Sequence, residues 1–141
     1  KQFTSCEVGL TITTLDEQLR SILEPVASTS RSRLEALAKL RDAGIKTYAF
    51  IGPILPILGE TTLANLIHEL SRVEVGRVLV DRLNIKAGNW ATITEAVTHN
   101  YPEYLSTIRE ALSSESSYYD ALKEIVSSLL NEKGLQFTFC Y

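Results

Sequence analysis

Two cysteines, Cys6 and Cys140, are all that 141 residues carry. Zinc and iron–sulfur sites need three or four ligands, usually at close spacing, so this pair excludes a centre built from cysteine alone. Both read as small buried hydrophobes in a reducing compartment, and the expected location is the cytoplasm. On four parallel strands in chain order, the two would be separated by about 14 Å, well beyond the reach of about 7 Å of a disulfide.

Basic charge is also scarce: 14 Lys and Arg stand against 17 Asp and Glu, for a net charge of −3. The cations are dispersed, so charge offers no support for nucleic-acid binding or an anionic membrane surface. The longest apolar run, Tyr48 to Leu58, is interrupted by Gly52, Pro53 and Pro56 and is too short to span a bilayer. No signal-peptide pattern is present, and the opening Lys1-Gln2-Phe3 without an initiator methionine fits a processed, trimmed or engineered start, with residues expected upstream. His68 and His99 have no partner at metal-ligand spacing and read as structural. No strained nucleophile elbow supports a Ser-His-Asp triad. Tyr101, Tyr118 and Tyr119 lack basic neighbours and read as helix-packing aromatics rather than base-stacking platforms.

What is present is alternation. In "EVGLTITTLDEQL" Val8, Leu10 and Ile12 share one strand face, while Gly9, Thr11 and Thr13 share the other, which reads as a small, polar lining. Asp16 to Leu23 reads as a short helix capped by Thr14 or Asp16 and closed by Pro25. Ser28 or Ser30 caps the next helix, which carries Leu34, Leu37 and Leu40 on one face and stops at Gly44. "KTYAFIGPIL" is a strand expected to break at Gly52-Pro53, because proline cannot continue a ladder. "TTLANLIHELSRV" spaces Leu63, Leu66, Ile67, Leu70 and Val73 as a helix face ending at Gly76. "RVLVDRLN" is the third strand, with Asp81 and Arg82 facing opposite ways so that at most one points into the barrel. A polar loop with Gly88 leads to a helix from Asn89 through Thr98, interrupted near Pro102 and resumed as "YLSTIREAL". After the connector Ser113 to Ser117, a last helix sets Tyr118, Leu122, Ile125, Leu129 and Leu130 on one side, stops at Gly134 and delivers the strand "LQFTFCY".

Strands separated by helices must run parallel, which predicts a single α/β domain over residues 1–141, either an open doubly wound sheet or part of a (βα) barrel. No Gly-x-Gly-x-x-Gly loop follows any strand, which lowers the dinucleotide-binding version and favours a partial barrel of about four parallel strands. Ligands of either architecture meet the carboxyl ends of the strands, here Thr11 to Thr14, Gly52 to Leu55 and Asp81 to Lys86. An incomplete barrel leaves strand edges unpaired, so a homodimer through the sheet edge is expected.

The stretches "EVGLTITTLDEQLRSILEP", "SRLEALAKLRDAGIKTYAFIGPILP", "VLVDRLNIKAGNW" and "FTFCY" together resemble the C-terminal half of a radical S-adenosylmethionine barrel of the spore photoproduct lyase-like, DNA repair photolyase type. The resemblance implies a partner in the missing N-terminal half, and S-adenosylmethionine and a [4Fe–4S] cluster as cofactors of the complete enzyme. The family's Cys-x-x-x-Cys-x-x-Cys loop is absent from these residues, so this half is expected to supply pocket walls and to be inactive alone. By the same resemblance Thr11 and Thr13 contact the ribose or amino group of the cofactor, and Arg33 meets its carboxylate. Gly52, Pro53 and Ile54 lie beside the adenine, and Asn84 is a polar lining near cofactor or substrate. The implied substrate is a pyrimidine photoproduct in DNA. Read without the resemblance, Arg33 equally fits an ion pair with Glu35 or a neighbouring acid on an exposed helix face, and a non-catalytic βα interaction module is the competing class.

Overall fold

The computed structural model describes residues 6–84 and 89–141. The expectations on Lys1-Gln2-Phe3, on Lys86 at the third strand's end and on the Gly88 loop lie outside the described residues. The chain forms β1 (Glu7–Thr11), α1 (Glu17–Leu23), α2 (Ser30–Asp42), β2 (Lys46–Ile54), α3 (Glu60–Arg72) and β3 (Arg77–Arg82). It continues as α4 (Asn89–Asn100), a single 3-10 turn (Pro102–Tyr104), α5 (Leu105–Ala111), α6 (Tyr118–Glu132) and β4 (Phe137–Phe139). The four strands pair in the order β1-β2-β3-β4, every pair parallel.

A doubly wound sheet reverses its strand order and binds at the reversal; this one steps in a single direction, and right-handed crossovers then place the connecting helices on one face. The strand alternation agrees. Thr47, Ala49 and Ile51 of β2 and Val78 and Val80 of β3 are buried on the helix side with Ile12, whereas Tyr48, Phe50 and Leu79 on the other side remain half-exposed. Leu37, Leu63, Leu66, Ile67 and Leu70 complete that core from α2 and α3. Each such side chain contributes on the order of 1.5–3 kcal/mol before ordering costs.

Several local expectations need correction. Proline does not end β2: Pro53 sits in a register irregularity between Ile51 and Ile54, where no ladder N–H is required of it, and Ile54 resumes pairing with Arg82. Thr29, rather than Ser28 or Ser30, caps α2, accepting from the Ser32 amide. The buried residues of α6 are Tyr119, Leu122, Val126 and Leu130; Leu122 and Leu130 are as expected, whereas Tyr118, Ile125 and Leu129 are half-buried beside them. β4 is shorter than "LQFTFCY": Phe137–Phe139 form the strand, with the Gln136 carbonyl and the Cys140 amide adding one hydrogen bond to β3 at each end. Both cysteines are exposed rather than buried, because each lies just outside an edge strand, and both thiols are free.

The turn after α3 is made by Glu74, at φ 53, and not by Gly76. Gly76 serves a different purpose. Its amide donates to the Thr47 carbonyl at 2.9 Å, and a Cβ there would stand 2.8 Å from that same oxygen. Only a residue without a side chain lets β3 start this close to β2. Gly76→Ala is therefore expected to destabilise the fold by about 1–3 kcal/mol, the usual cost of forcing backbone apart in a packed region. Equilibrium urea unfolding with an unchanged slope measures it.

Candidate functional site

The carboxyl ends of β1, β2 and β3 open onto a cleft of about 420 Å³. Its polar border is Thr13, Glu24, Asp81, Arg82 and Asn84, and its apolar wall is Leu23, Pro53, Leu55, Leu83 and Ile93. A second hollow, about 350 Å³, adjoins it across Arg82, Leu83 and Asn84 and is closed by the connector serines Ser113, Ser114 and Ser116 with Tyr119 and Asp120. Clefts of a few hundred Å³ with an apolar wall and a few convergent polar groups are the usual form of a small-molecule site.

A polar network between β1 and α2 sets the first border. Asp16 caps α1 by accepting from the Gln18 and Leu19 amides, and Glu17 accepts from the Ser30 amide at 2.7 Å. The Ser30 hydroxyl donates to the Thr14 carbonyl at 2.6 Å. Burial works to raise the Glu17 pKa, but hydrogen bonds from Arg20 and Ser30 outweigh it and hold the carboxyl below its ordinary range. Arg20 then donates to the Glu24 and Ala27 carbonyls, folding the α1–α2 connection back on itself. These bonds bring Glu24, the residue closing α1, over the end of β1.

Arg33 fastens it there. Its guanidinium donates to the Thr11 carbonyl at 2.7 Å, to the Glu24 carboxylate at 2.5 Å and to the Ser28 hydroxyl at 3.3 Å. The expected surface pair with Glu35 is not formed by Arg33; Arg31 makes it instead, because Arg33 lies on the inward side of α2. The Thr13 hydroxyl donates weakly, at 3.4 Å, to the other Glu24 oxygen. Glu24 thus enters the cleft as an oriented carboxylate with its charge already matched.

The seven residues expected at the site separate into three groups. Thr13, Pro53 and Asn84 line the cleft together. Gly52 and Thr11 stand beneath it: a Cβ on Gly52 would press on Phe50 and on Asp81, and Thr11 offers its carbonyl to Arg33 while its exposed side lies on the open sheet face beside Gly9, Tyr48 and Phe50. Arg33 and Ile54 are turned away, the former 9% exposed behind Glu24 and the latter packed in the core with 1% exposure. Asp81 and Arg82 alternate across β3, yet both border the cleft because it lies beyond the strand end. Sequence reasoning missed Glu24, which carries no local signal beyond preceding Pro25.

Tyr119 ties the floor together. Its hydroxyl donates to the Ile54 carbonyl at 2.9 Å and accepts from the Leu83 amide at 3.2 Å, so one side chain joins β2, the end of β3 and α6. It pairs edge-on with Tyr118 and Tyr141, whereas Tyr101 stacks separately against Tyr104, so the three tyrosines do not form one group. Burial raises the phenol pKa of Tyr119 strongly, and of Tyr118 and Tyr141 in the same direction.

The implied cofactors fit unequally. Among the described residues no group of three His, Cys, Asp or Glu could hold a metal ion, and the two thiols stand at opposite edges of the sheet, so the donor set does not fit an iron–sulfur cluster. The mixed cleft does suit a nucleoside-sized ligand. No described helix is long and apolar enough to cross a membrane.

Two curated proteins are similar to this chain. An uncharacterized protein of Methanocaldococcus jannaschii is 31% identical over 137 residues, covering 92% of this chain and 46% of its own length. An uncharacterized protein of Acidianus two-tailed virus is 26% identical over 138 residues, covering 94% of this chain and 42% of its own. The chain spans less than half the length of these relatives. No family model and no solved structure matches it.

Tyr119→Phe is expected to cost about 1–3 kcal/mol, since it leaves the Ile54 carbonyl without its donor and the Leu83 amide without its acceptor. A pH signature separates this from simple repacking. Below about pH 10 the phenol is neutral in both folded and unfolded chains; above it the unfolded chain releases the proton while the folded one resists, so stability falls as pH rises. Chemical denaturation between pH 8 and 11 should show a steeper fall for the wild type than for Tyr119→Phe.

Proposed function

We propose that this chain is the C-terminal half of a radical S-adenosylmethionine barrel of the spore photoproduct lyase-like type, providing cofactor and substrate walls and inactive without a cysteine-bearing half. The observation supporting this reading most directly is the convergence of Thr13, Pro53 and Asn84 at one cleft beyond three parallel strands in chain order. Both curated relatives are more than twice as long as the segment they share with this chain, which leaves room for such a half in a longer protein. S-adenosylmethionine supplies one-electron hydrogen abstraction when bound and reduced. The residues here would bind it: Leu55, Leu83 and Ile93 cover an apolar ring face, Thr13 and Glu24 present oxygens to hydroxyl groups, and Asn84 meets the polar end. The substrate class carried by the resemblance is a pyrimidine photoproduct in DNA, to which a net charge of −3 adds nothing.

The test is made on the longest natural form of the chain. A three-cysteine loop encoded upstream of Lys1, followed by anaerobic reconstitution, should yield broad visible absorption and reductive cleavage of S-adenosylmethionine. An initiator methionine directly before Lys1, or the absence of both signals after reconstitution, would sink the reading.

A second reading, a non-catalytic association module, is favoured by the open sheet face. There Tyr48, Phe50 and Leu79 surround a hollow of about 400 Å³, and the ring of Tyr48 lies where Gly9 has no side chain. Arg77 lies over that ring, 5.4 Å from its centroid, and pairs with Glu7 at 2.6 Å. Half-exposed aromatics beside unpaired strand edges favour cover by another chain. Sedimentation should reveal a homodimer of the isolated chain; a strict monomer at high concentration contradicts it.

A further inference from the structure

The four strands step in one direction, so the sheet ends on two edges, and these differ in character. β4 has only three residues, and Lys123 lies over the rings of Phe139 and Tyr141, 5.1 and 5.6 Å from their centroids. A short strand guarded by a lysine is a blunted edge. β1 has five residues and pairs with β2 on one side. The Ile12 amide donates to the Phe50 carbonyl at 2.9 Å, and peptide groups alternate in direction along a strand, so Glu7, Gly9 and Thr11 turn theirs away from β2. Arg33 already holds the last of these: its guanidinium donates to the Thr11 carbonyl at 2.7 Å, with Glu24 and Ser28 as its other acceptors. The edge is therefore open along Glu7–Gly9 and shut at the Thr11 carbonyl. Beside it, between β1 and α2, runs a hollow of about 710 Å³. Leu10 lines it from the strand, and the small side chains of Ala27, Ser28, Ser32 and Ala36 line it from the helix side, which lets a second backbone come close. Val26, next to Ala27, is fully exposed, one of two large hydrophobic side chains exposed among the described residues.

A βα unit added before β1 in the same right-handed series sets its strand along Glu7–Gly9 and its crossover helix in this hollow. Material for such a unit exists in the relatives: the shared segment is 46% and 42% of their lengths, so each carries more sequence outside it than within. We infer that the β1 edge and this hollow form the seam on which the remaining part of a longer chain docks, through a parallel strand and its helix, and that Arg33 ends the strand pairing at Gly9. The inference rests on the reading of this chain as half of a longer barrel, and on no cofactor. The seam is zipped at the amino end of β1 and parted at its carboxyl end, beside Thr13 and Glu24. The cleft thus keeps a side opening that a continuous ladder would seal.

The experiment is residue-resolved amide hydrogen exchange on the longest natural form of the chain. The wild type is compared with Ala36→Glu, which puts a charge in the hollow, and with Arg31→Gln, which changes charge by the same amount on the exposed side of α2. The Gly9 amide, which faces away from β2, should exchange at least about tenfold more slowly than a free amide in the wild type. Ala36→Glu should accelerate it about tenfold or more, because the charge must be buried for the helix to dock. Arg31→Gln should leave it unchanged, and Thr13 should be unchanged throughout. Continued protection of Ile51 and Val80, inside the β2–β3 ladder, shows that each variant is folded. Should Ala36→Glu lose that protection, Ser32→Glu places the same charge at the exposed border of the hollow. Fast Gly9 exchange in the wild type, or equal effects of the hollow and control substitutions, overturns the seam. Protection of Gly9 that grows with protein concentration makes a second copy the occupant and overturns docking within one chain. Acceleration of Thr13 together with Gly9 means that the ladder runs past Thr11 and overturns the limit set by Arg33. A natural form no longer than these residues removes the half-barrel reading and this inference with it. A longer form that protects Gly9 but assembles no cluster removes the S-adenosylmethionine reading alone.

Discussion

The pairing of β2 with β3 is the constraint on which the rest of the structure depends. Ala49, Ile51, Val78 and Val80 are entirely buried on one side of these two strands. Because side chains alternate along a strand, that burial commits Tyr48, Phe50 and Leu79 to the opposite side. The helices can cover only one side when each strand is added in the same direction, so the aromatic side stays open. The close start of the pair at Gly76 and the irregularity at Gly52-Pro53 then decide where the two strand ends stand, and hence where a cleft can form.

A second layer of control is polar. The α1–α2 connection buries no apolar side chain of its own, and Val26 within it is fully exposed. What holds it is a chain of hydrogen bonds running from Asp16 through Glu17, Ser30 and Arg20 to Glu24 and Arg33. The network explains why a carboxylate sits at the cleft with its partner behind it. It also explains why Arg33, the cation that the family resemblance offers as a ligand contact, is consumed by the fold.

The elements themselves were legible. Alternation in "VGLTI" and in "KTYAFI", and helical spacing in "TTLANLIHEL", reflect periods that local geometry imposes, so four strands with intervening helices could be read before any coordinates. Positions at the ends of elements were read less well. Thr29 rather than its neighbours caps α2, Glu74 rather than Gly76 makes the turn, and α6 buries Tyr119 and Val126 ahead of Tyr118 and Ile125, because such details depend on which neighbouring carbonyl or side chain is within reach. The site was half visible. Thr13, Pro53 and Asn84 come together as strand-end residues must, whereas Arg33 and Ile54 turn inward and Glu24 arrives from the end of a helix.

Sequence alone determined the α/β class, the parallel direction of the strands, the lack of a cysteine set able to hold a cluster within these 141 residues, and the strand ends as the place to look for a cleft. Each of these follows from local periodicity, connection length or residue count. Only the tertiary structure decided the strand order, the open aromatic face, and the engagement of Arg33 by Glu24 and Thr11. Those depend on contacts between residues far apart in the chain, such as Tyr119 with Ile54 and Leu83, whose partners no window of sequence contains.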